Sequence, residues 1–141
     1  MAELLQPITI TASATLNEDT HLNTVVNLSA AAGLTVTLPA STGKGARYRL
    51  FVLTTVTSNN YVVQVANSTD VIQGAIHLTT DIAGTSMPTS STTDTITMNG
   101  STTGGVRGSY IELEDSSAGF WRLSGQLICT GTEATPFSAA V

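Results

Sequence analysis

The stretch TGKGARYRL, residues 42–50, sets a lysine between two glycines and follows it with two arginines, in a chain that has five basic residues in all. A phosphate-binding loop would need GxxxxGK[ST] between a strand and a helix, because the amides at the helix N-terminus hold the phosphates. Here Gly45 follows Lys44, and the chain continues as RYRLFVL (47–53), whose alternating apolar, aromatic and β-branched residues read as a strand. Gly43 and Gly45 therefore serve a turn, where their freedom at positive φ is needed. Strand parity puts Tyr48, Leu50 and Val52 on a core face and Arg47, Arg49 and Phe51 on the other. Upstream, LTVTLP (34–39) turns Leu34, Val36 and Leu38 inward, and the turn is expected to pair it with RYRLFVL, with Lys44 capping the turn beside the two arginines.

The same alternation recurs along the chain. PITITAS (7–13) is extended, LNTVVNL (22–28) is a strand, and SAAAG (29–33) leaves room for at most one helical turn. In YVVQVA (61–66) Tyr61, Val63 and Val65 face the core, and VIQGAIHL (71–78) is expected to bend at Gly74. A Ser/Thr-rich loop is expected around 83–93, then a short strand DTITM (94–98) and a glycine-bearing connection NGSTTGG (99–105). SYIELEDSSAGFWRLSG (109–125) reads as a hairpin turning at Asp115 to Gly119. That turn sets Leu113 opposite Trp121, Glu112 opposite Arg122 and Ile111 opposite Leu123. Eight or nine strands at intervals of about ten residues, with almost no helical period, predict an all-β single domain, an antiparallel β-sandwich or barrel of jelly-roll type.

Composition narrows the function. Charged residues make up 11% and hydrophobic residues 41% of the 141, and serine with threonine supplies more than a quarter, so the chain folds but carries little surface charge. A net charge of −5 argues against a nucleic-acid partner. MAELLQPITI carries no basic leader, and no apolar run is long enough to span a bilayer, so neither secretion nor a membrane partner is expected. The sequons at Asn27, Asn67 and Asn99 arise from the abundance of serine and threonine.

No catalytic or metal-binding constellation emerges. Cys129, the single cysteine, lacks a partner for a disulfide or a zinc site and reads as a small buried hydrophobe. His21 and His77 lack ligand spacing, and His77, between Ile76 and Leu78, faces solvent. Glu112 and Glu114 share a strand face, with Arg122 in reach across the hairpin, as a solvated charged face. Trp121 falls on the face of Leu123 and belongs to the core. An enzyme is not expected, nor a cofactor or a metal.

The segment TLPASTGKGARYRLFV (37–52), the DVIQG corner (70–74), the YIELED to FWRLSG hairpin (110–125) and GTEATPFSA (131–139) resemble head decoration, or cement, proteins of tailed bacteriophages. The resemblance implies a structural, non-enzymatic protein of the virion that sits on the outer surface of the capsid as a homotrimer and bridges copies of the major capsid protein. It further implies an extended N-terminal arm, residues 1–20, ahead of a β-domain at 21–141. No contact motif of that family carries over to this chain, and from geometry alone partner contacts are expected at Pro7, Ile8 and Ile10 of the arm, at the cationic corner Lys44, Arg47 and Arg49, and at Phe137. The alternative is a receptor- or glycan-binding module of a tail spike or fibre, which would use Trp121 or the tyrosines as stacking platforms.

Overall fold

Alternation fixes which face of a strand is buried but leaves open which sheet the strand joins. A computed structural model of the protein, describing residues 6–141, answers that second question. Twelve strands and one helical turn follow in order: β1 (Ile8–Ile10), β2 (Ala14–Thr15), α1 (Glu18–His21), β3 (Val25–Leu28), β4 (Leu34–Thr37), β5 (Arg47–Val52), β6 (Tyr61–Gln64), β7 (Val71–Thr79), β8 (Gly84–Pro88), β9 (Thr95–Met98), β10 (Tyr110–Ser117), β11 (Phe120–Ile128) and β12 (Phe137–Ser138). They form a seven-stranded sheet, β1-β3-β5-β10-β11-β7-β8, and a five-stranded sheet, β12-β9-β6-β4-β2.

Up to β6 the chain changes sheet at every connection. β1, β3 and β5 are parallel neighbours in the larger sheet, and β2, β4 and β6 are parallel neighbours in the smaller one. Each circuit of the backbone therefore lays down one strand per sheet. The sheets are mixed, where antiparallel pairing was expected, and the expected hairpin of LTVTLP with RYRLFVL does not form. β4 and β5 lie in different sheets, and their apolar faces both enter one core. Tyr48, Leu50, Val52, Leu34 and Val36 are all at most 5% exposed, as their alternation requires.

The second half of the chain closes this winding. β10 pairs antiparallel with β5, and β11 pairs antiparallel with β10 and parallel with β7. The hairpin register differs from the expected one by two residues: Leu113 faces Leu123, Glu114 faces Arg122 and Ile111 faces Gly125. The strands run on to Ser117 and resume at Phe120, with a bulge at Asp115–Ser117, so the turn is two residues long where a five-residue turn was expected. A slip of two preserves the faces, and Ile111, Leu113, Trp121 and Leu123 all remain in the core. Trp121 packs on Tyr48 with ring centroids 5.9 Å apart.

Residues 8–16 do not form an arm. Ile8 and Ile10 pair with Val26 and Leu28, Ala14 pairs with Val36, and Leu16 is 1% exposed in the core. Residues 17–20 belong to the capped helical turn, and Met1–Leu5, the start of the expected arm, lie outside the described residues. The Ser/Thr-rich loop contains β8, an edge strand against β7, and the SAAAG segment is a turn, while the helical turn falls earlier at Glu18–His21, capped by Asn17 Oδ1 accepting from Thr20 N–H (2.9 Å). Gly74 lies inside β7. Its φ is 151°, and a Cβ there would come within 2.4 Å of the Leu123 carbonyl oxygen, so glycine allows β11 to approach.

Two neighbouring aromatics should respond oppositely to truncation. Trp121→Ala is expected to cost roughly 3–5 kcal/mol, whereas Phe120→Ala, at a half-exposed position, should stay within about 0.5 kcal/mol, both read from denaturant unfolding. Deleting residues 1–15 removes β1 and β2 and should lower the unfolding midpoint, as a free arm would not.

Candidate interaction surface

The glycine loop between β4 and β5 does hold an anion through its backbone amides, and the anion is the chain's own. The Asp115 carboxylate, 2% exposed, accepts from Ser41 Oγ–H (2.6 Å), Gly43 N–H (2.9 Å), Thr42 N–H (2.8 Å) and the Thr42 hydroxyl (3.0 Å). Ser41 N–H donates to a second buried carboxylate, Asp70 (2.8 Å), which is itself fixed by Asn67. Gly43 has φ 75°, and a Cβ there would meet the Ala118 amide nitrogen at 2.8 Å, so glycine lets the loop lie against the β10–β11 turn. Burial raises the Asp115 pKa, but the bonds from Ser41, Thr42 and Gly43 outweigh it and hold the carboxyl below its ordinary 3.8. Asp94 repeats the device: burial raises its pKa, and bonds from Thr95 and from the Ala140 and Val141 amides bring it below the ordinary value, which ties down the chain end.

Outside this loop, the outward face of the seven-stranded sheet carries most of the positive charge. Arg47 pairs with Glu114 at 2.5 Å, and Arg122 reaches the same carboxylate at 3.9 Å. Arg49 donates to the Asn23 carbonyl (2.9 Å), and Lys44 is exposed in the loop with no hydrogen-bond or ion-pair partner among the described residues. Arg122 thus pairs across the hairpin with Glu114, where Glu112 was the expected partner. Strand register draws one row of outward residues over the whole sheet: Thr9, Asn27, Phe51, Tyr110, Gln126, His77 and Ser86. Phe51 and Tyr110 are directly opposite one another on adjacent strands, and the Tyr110 hydroxyl lies 3.4 Å from Glu112 Oε2. Burial, then the negative charge of Glu112, raises the Tyr110 pKa against the opposing effect of Arg49.

The expected contact residues divide. Lys44, Arg47 and Arg49 cluster at the start of β5 as the sequence implied, and Pro7 is exposed. Ile8 and Ile10 pair with buried Val26 and Leu28 on the inward side of the sheet edge, and Ile10 packs on the core. Phe137 lies opposite buried Ile96 in β12 and packs on the core as well. Ile10 and Phe137 thus add to the interior, and Ile8 is half-buried at the sheet edge, because an edge strand turns alternate residues inward. His77 is exposed and 3.2 Å from the Ser86 hydroxyl, His21 is buried and accepts from Asn17 N–H through Nδ1 (3.1 Å), and Cys129 is buried, which raises its thiol pKa. Trp121, at 1% exposure, is withdrawn from any surface role.

A hydroxyl-lined groove of about 230 Å³ runs beside β2 and β4, bordered by Ser13, Ala14, Thr15, Thr35 and Thr37, with no titratable side chain on its wall. Among the described residues no three His, Cys, Asp or Glu side chains gather closely enough to hold a metal ion, and no helix is long and apolar enough to cross a membrane. The anchoring role of Asp115 escaped the sequence reading, which put that residue in the hairpin turn. Its signal was a run of small residues, ASTGKG, with several free amides and no helix to use them.

Comparison with protein-family models, with curated proteins and with solved structures returned no match. The loop's own chemistry sets the expectation. Asp115→Asn presents an NH₂ to N–H donors and should cost about 1–3 kcal/mol. Because the folded pKa of Asp115 lies below the unfolded one, its contribution is complete above pH 3.8 and is lost as pH falls through the folded value. Acid titration of stability should therefore show a steeper loss below that pH in the natural protein than in Asp115→Asn.

Proposed function

We propose that the protein is a structural component of a bacteriophage virion, a single-domain β-sandwich that docks as a homotrimer on the outer surface of the capsid and bridges copies of the major capsid protein. The observation that carries this reading is the outward face of the seven-stranded sheet. It is broad, carries polar side chains around the Phe51–Tyr110 pair with Phe120 exposed toward one end, and sets Arg47, Arg49 and Arg122 beside Glu112 and Glu114, with Lys44 in the adjoining loop. A surface of this kind suits another protein's surface better than it suits an enclosed small substrate. The resemblance of the 37–52, 70–74 and 110–125 segments to decoration proteins supplies the identity of the partner, and the net charge of −5 favours the side of a shell away from packaged DNA. In this reading the protein needs no cofactor and catalyses no reaction.

One observation favours a second reading, a glycan-binding module of a spike or fibre. Phe51 and Tyr110 stand side by side on the outward face, flanked by Asn27, Gln126 and Arg49, which offers apolar rings and hydrogen-bonding groups together. Trp121 cannot contribute to it.

The test is attachment of purified protein to undecorated capsids, followed by stopped-flow light scattering over a salt series. Replacing Lys44, Arg47 and Arg49 together by Ser should slow attachment and flatten its salt dependence, since rim charges act mainly on encounter. Stability should fall by no more than about 1 kcal/mol, because the Arg47–Glu114 pair is exposed. Attachment kinetics identical to the natural protein at low salt would remove the cationic corner from the interface. Absence of any capsid binding, with retention on a glycan array, would favour the second reading.

A further inference from the structure

The connection NGSTTGG (99–105), between β9 and β10, opens on Asn99-Gly100, and no other asparagine of the chain precedes a glycine. An asparagine in that position can react with its own backbone. The Gly100 amide nitrogen attacks Asn99 Cγ, the new C–N bond closes a succinimide ring, the Cγ–Nδ2 bond breaks, and the amide proton departs with the leaving ammonia. Water then opens the ring at one carbonyl or the other, giving aspartate or an isoaspartyl link at position 99. Glycine favours the closure because it has no Cβ to obstruct a close approach of its backbone.

The folded loop opposes each movement that this reaction needs. Gly100 N–H donates to the Gly104 carbonyl (2.7 Å), beside the Ser101–Gly104 bridge. Asn99 Oδ1 accepts from Ser101 N–H (2.8 Å) and Thr103 N–H (3.2 Å), and Nδ2 donates to the Thr102 hydroxyl oxygen (3.0 Å). Asn99 N–H donates to the Thr103 hydroxyl oxygen (2.9 Å), so the main chain on that side is held too. Ring closure would take the Gly100 nitrogen off Gly104 and turn the carboxamide away from Ser101, Thr102 and Thr103.

Neighbouring segments clamp the loop from outside. Thr130 N–H donates to the Ser101 carbonyl (3.0 Å), Ala134 N–H to the Thr102 carbonyl (2.9 Å) and Val56 N–H to the Gly105 carbonyl (3.1 Å). Gly100, at φ 80°, lies so close to the Val56 carbonyl oxygen that a Cβ there would collide with it. An isoaspartyl link adds a methylene to the main chain between residues 99 and 100, and this contact leaves no room for it.

We propose that Asn99 is a deamidation site gated by its own loop: inert while residues 99–105 are closed, reactive when they open, and unable to close again once the link is isoaspartyl. Its conversion thus records local opening of the corner where residues 99–105, 130–134 and Val56 meet.

The test is to hold the purified protein at mildly alkaline pH in heavy-oxygen water, folded in buffer and unfolded in guanidinium chloride, and to follow residue 99 by peptide mass spectrometry. Conversion of the folded protein should be at least about tenfold slower than that of the unfolded chain, since it waits on opening. Thr102→Val and Thr103→Val each remove a hydroxyl acceptor of Asn99 and should speed conversion of the folded protein several-fold. Neither should change the rate in guanidinium, which separates release of the loop from an effect of the neighbouring residue on the chemistry. Melting midpoints establish that the variants are folded, and if they are not, the two rates of the natural chain decide alone. Equal rates in buffer and in guanidinium would overturn the proposal, as would no conversion of Asn99 in guanidinium or unchanged rates in both folded variants. Isoaspartyl chains that refold with the natural melting midpoint would overturn it too.

Discussion

The buried Asp115 carboxylate is the constraint on which the arrangement of the chain depends. A charge taken out of water must be paid for in hydrogen bonds, and here the donors come from residues more than seventy positions earlier. The exchange of Gly45 N–H to the Asp115 carbonyl and Asp115 N–H to the Ala46 carbonyl then aligns the start of β5 with the end of β10. One side chain therefore fixes where the crossing from the smaller sheet ends, where the central hairpin begins to pair and how far its bulge extends. Asp70, bonded to the next amide of the same loop, ties that crossing to the entry of β7.

The parallel winding places a second demand on the crossings, because each must carry polar backbone between two sheets without leaving it unpaired. Tyr61 meets part of it. Its ring lies in the core, while its hydroxyl donates to the Thr54 carbonyl (2.7 Å) and accepts from Ala30 N–H (2.9 Å). The connections on either side of the β3 to β6 circuit are thus pinned by one buried phenol, whose pKa is raised by burial against the bond from Ala30.

Much of the interior was legible in the sequence. Tyr48, Leu50 and Val52, then Tyr61, Val63 and Val65, and finally Leu113 and Trp121 all lie where period-two alternation puts them, because burial is decided locally by the pleat. Partner strands were not legible, since the turn-like STGKG reads the same whether it joins neighbours or crosses a core. The hairpin register was lost by two residues because the bulge at Asp115–Ser117 depends on distant Ser41 and Thr42, which no local signal links to it. Ile10 and Phe137 were assigned to a surface since short flanking segments show too little periodicity to declare a buried side. The cationic corner was legible because its three members lie within six residues of one another. Its ion pair with Glu114 required the strand pairing.

The order in which the sheet is filled has a consequence for biosynthesis. β10 and β11 lie in the middle of the larger sheet, between β5 and β7, yet they leave the ribosome after every other strand of that sheet. Until residues 110–128 emerge, the edge of β5 that will face β10 stands open, and Tyr48 lacks the indole that packs against it. A chain carrying only the first hundred residues has its winding but no keystone, so this domain folds by long-range closure once residues 110–128 are in place rather than by successive addition of finished layers.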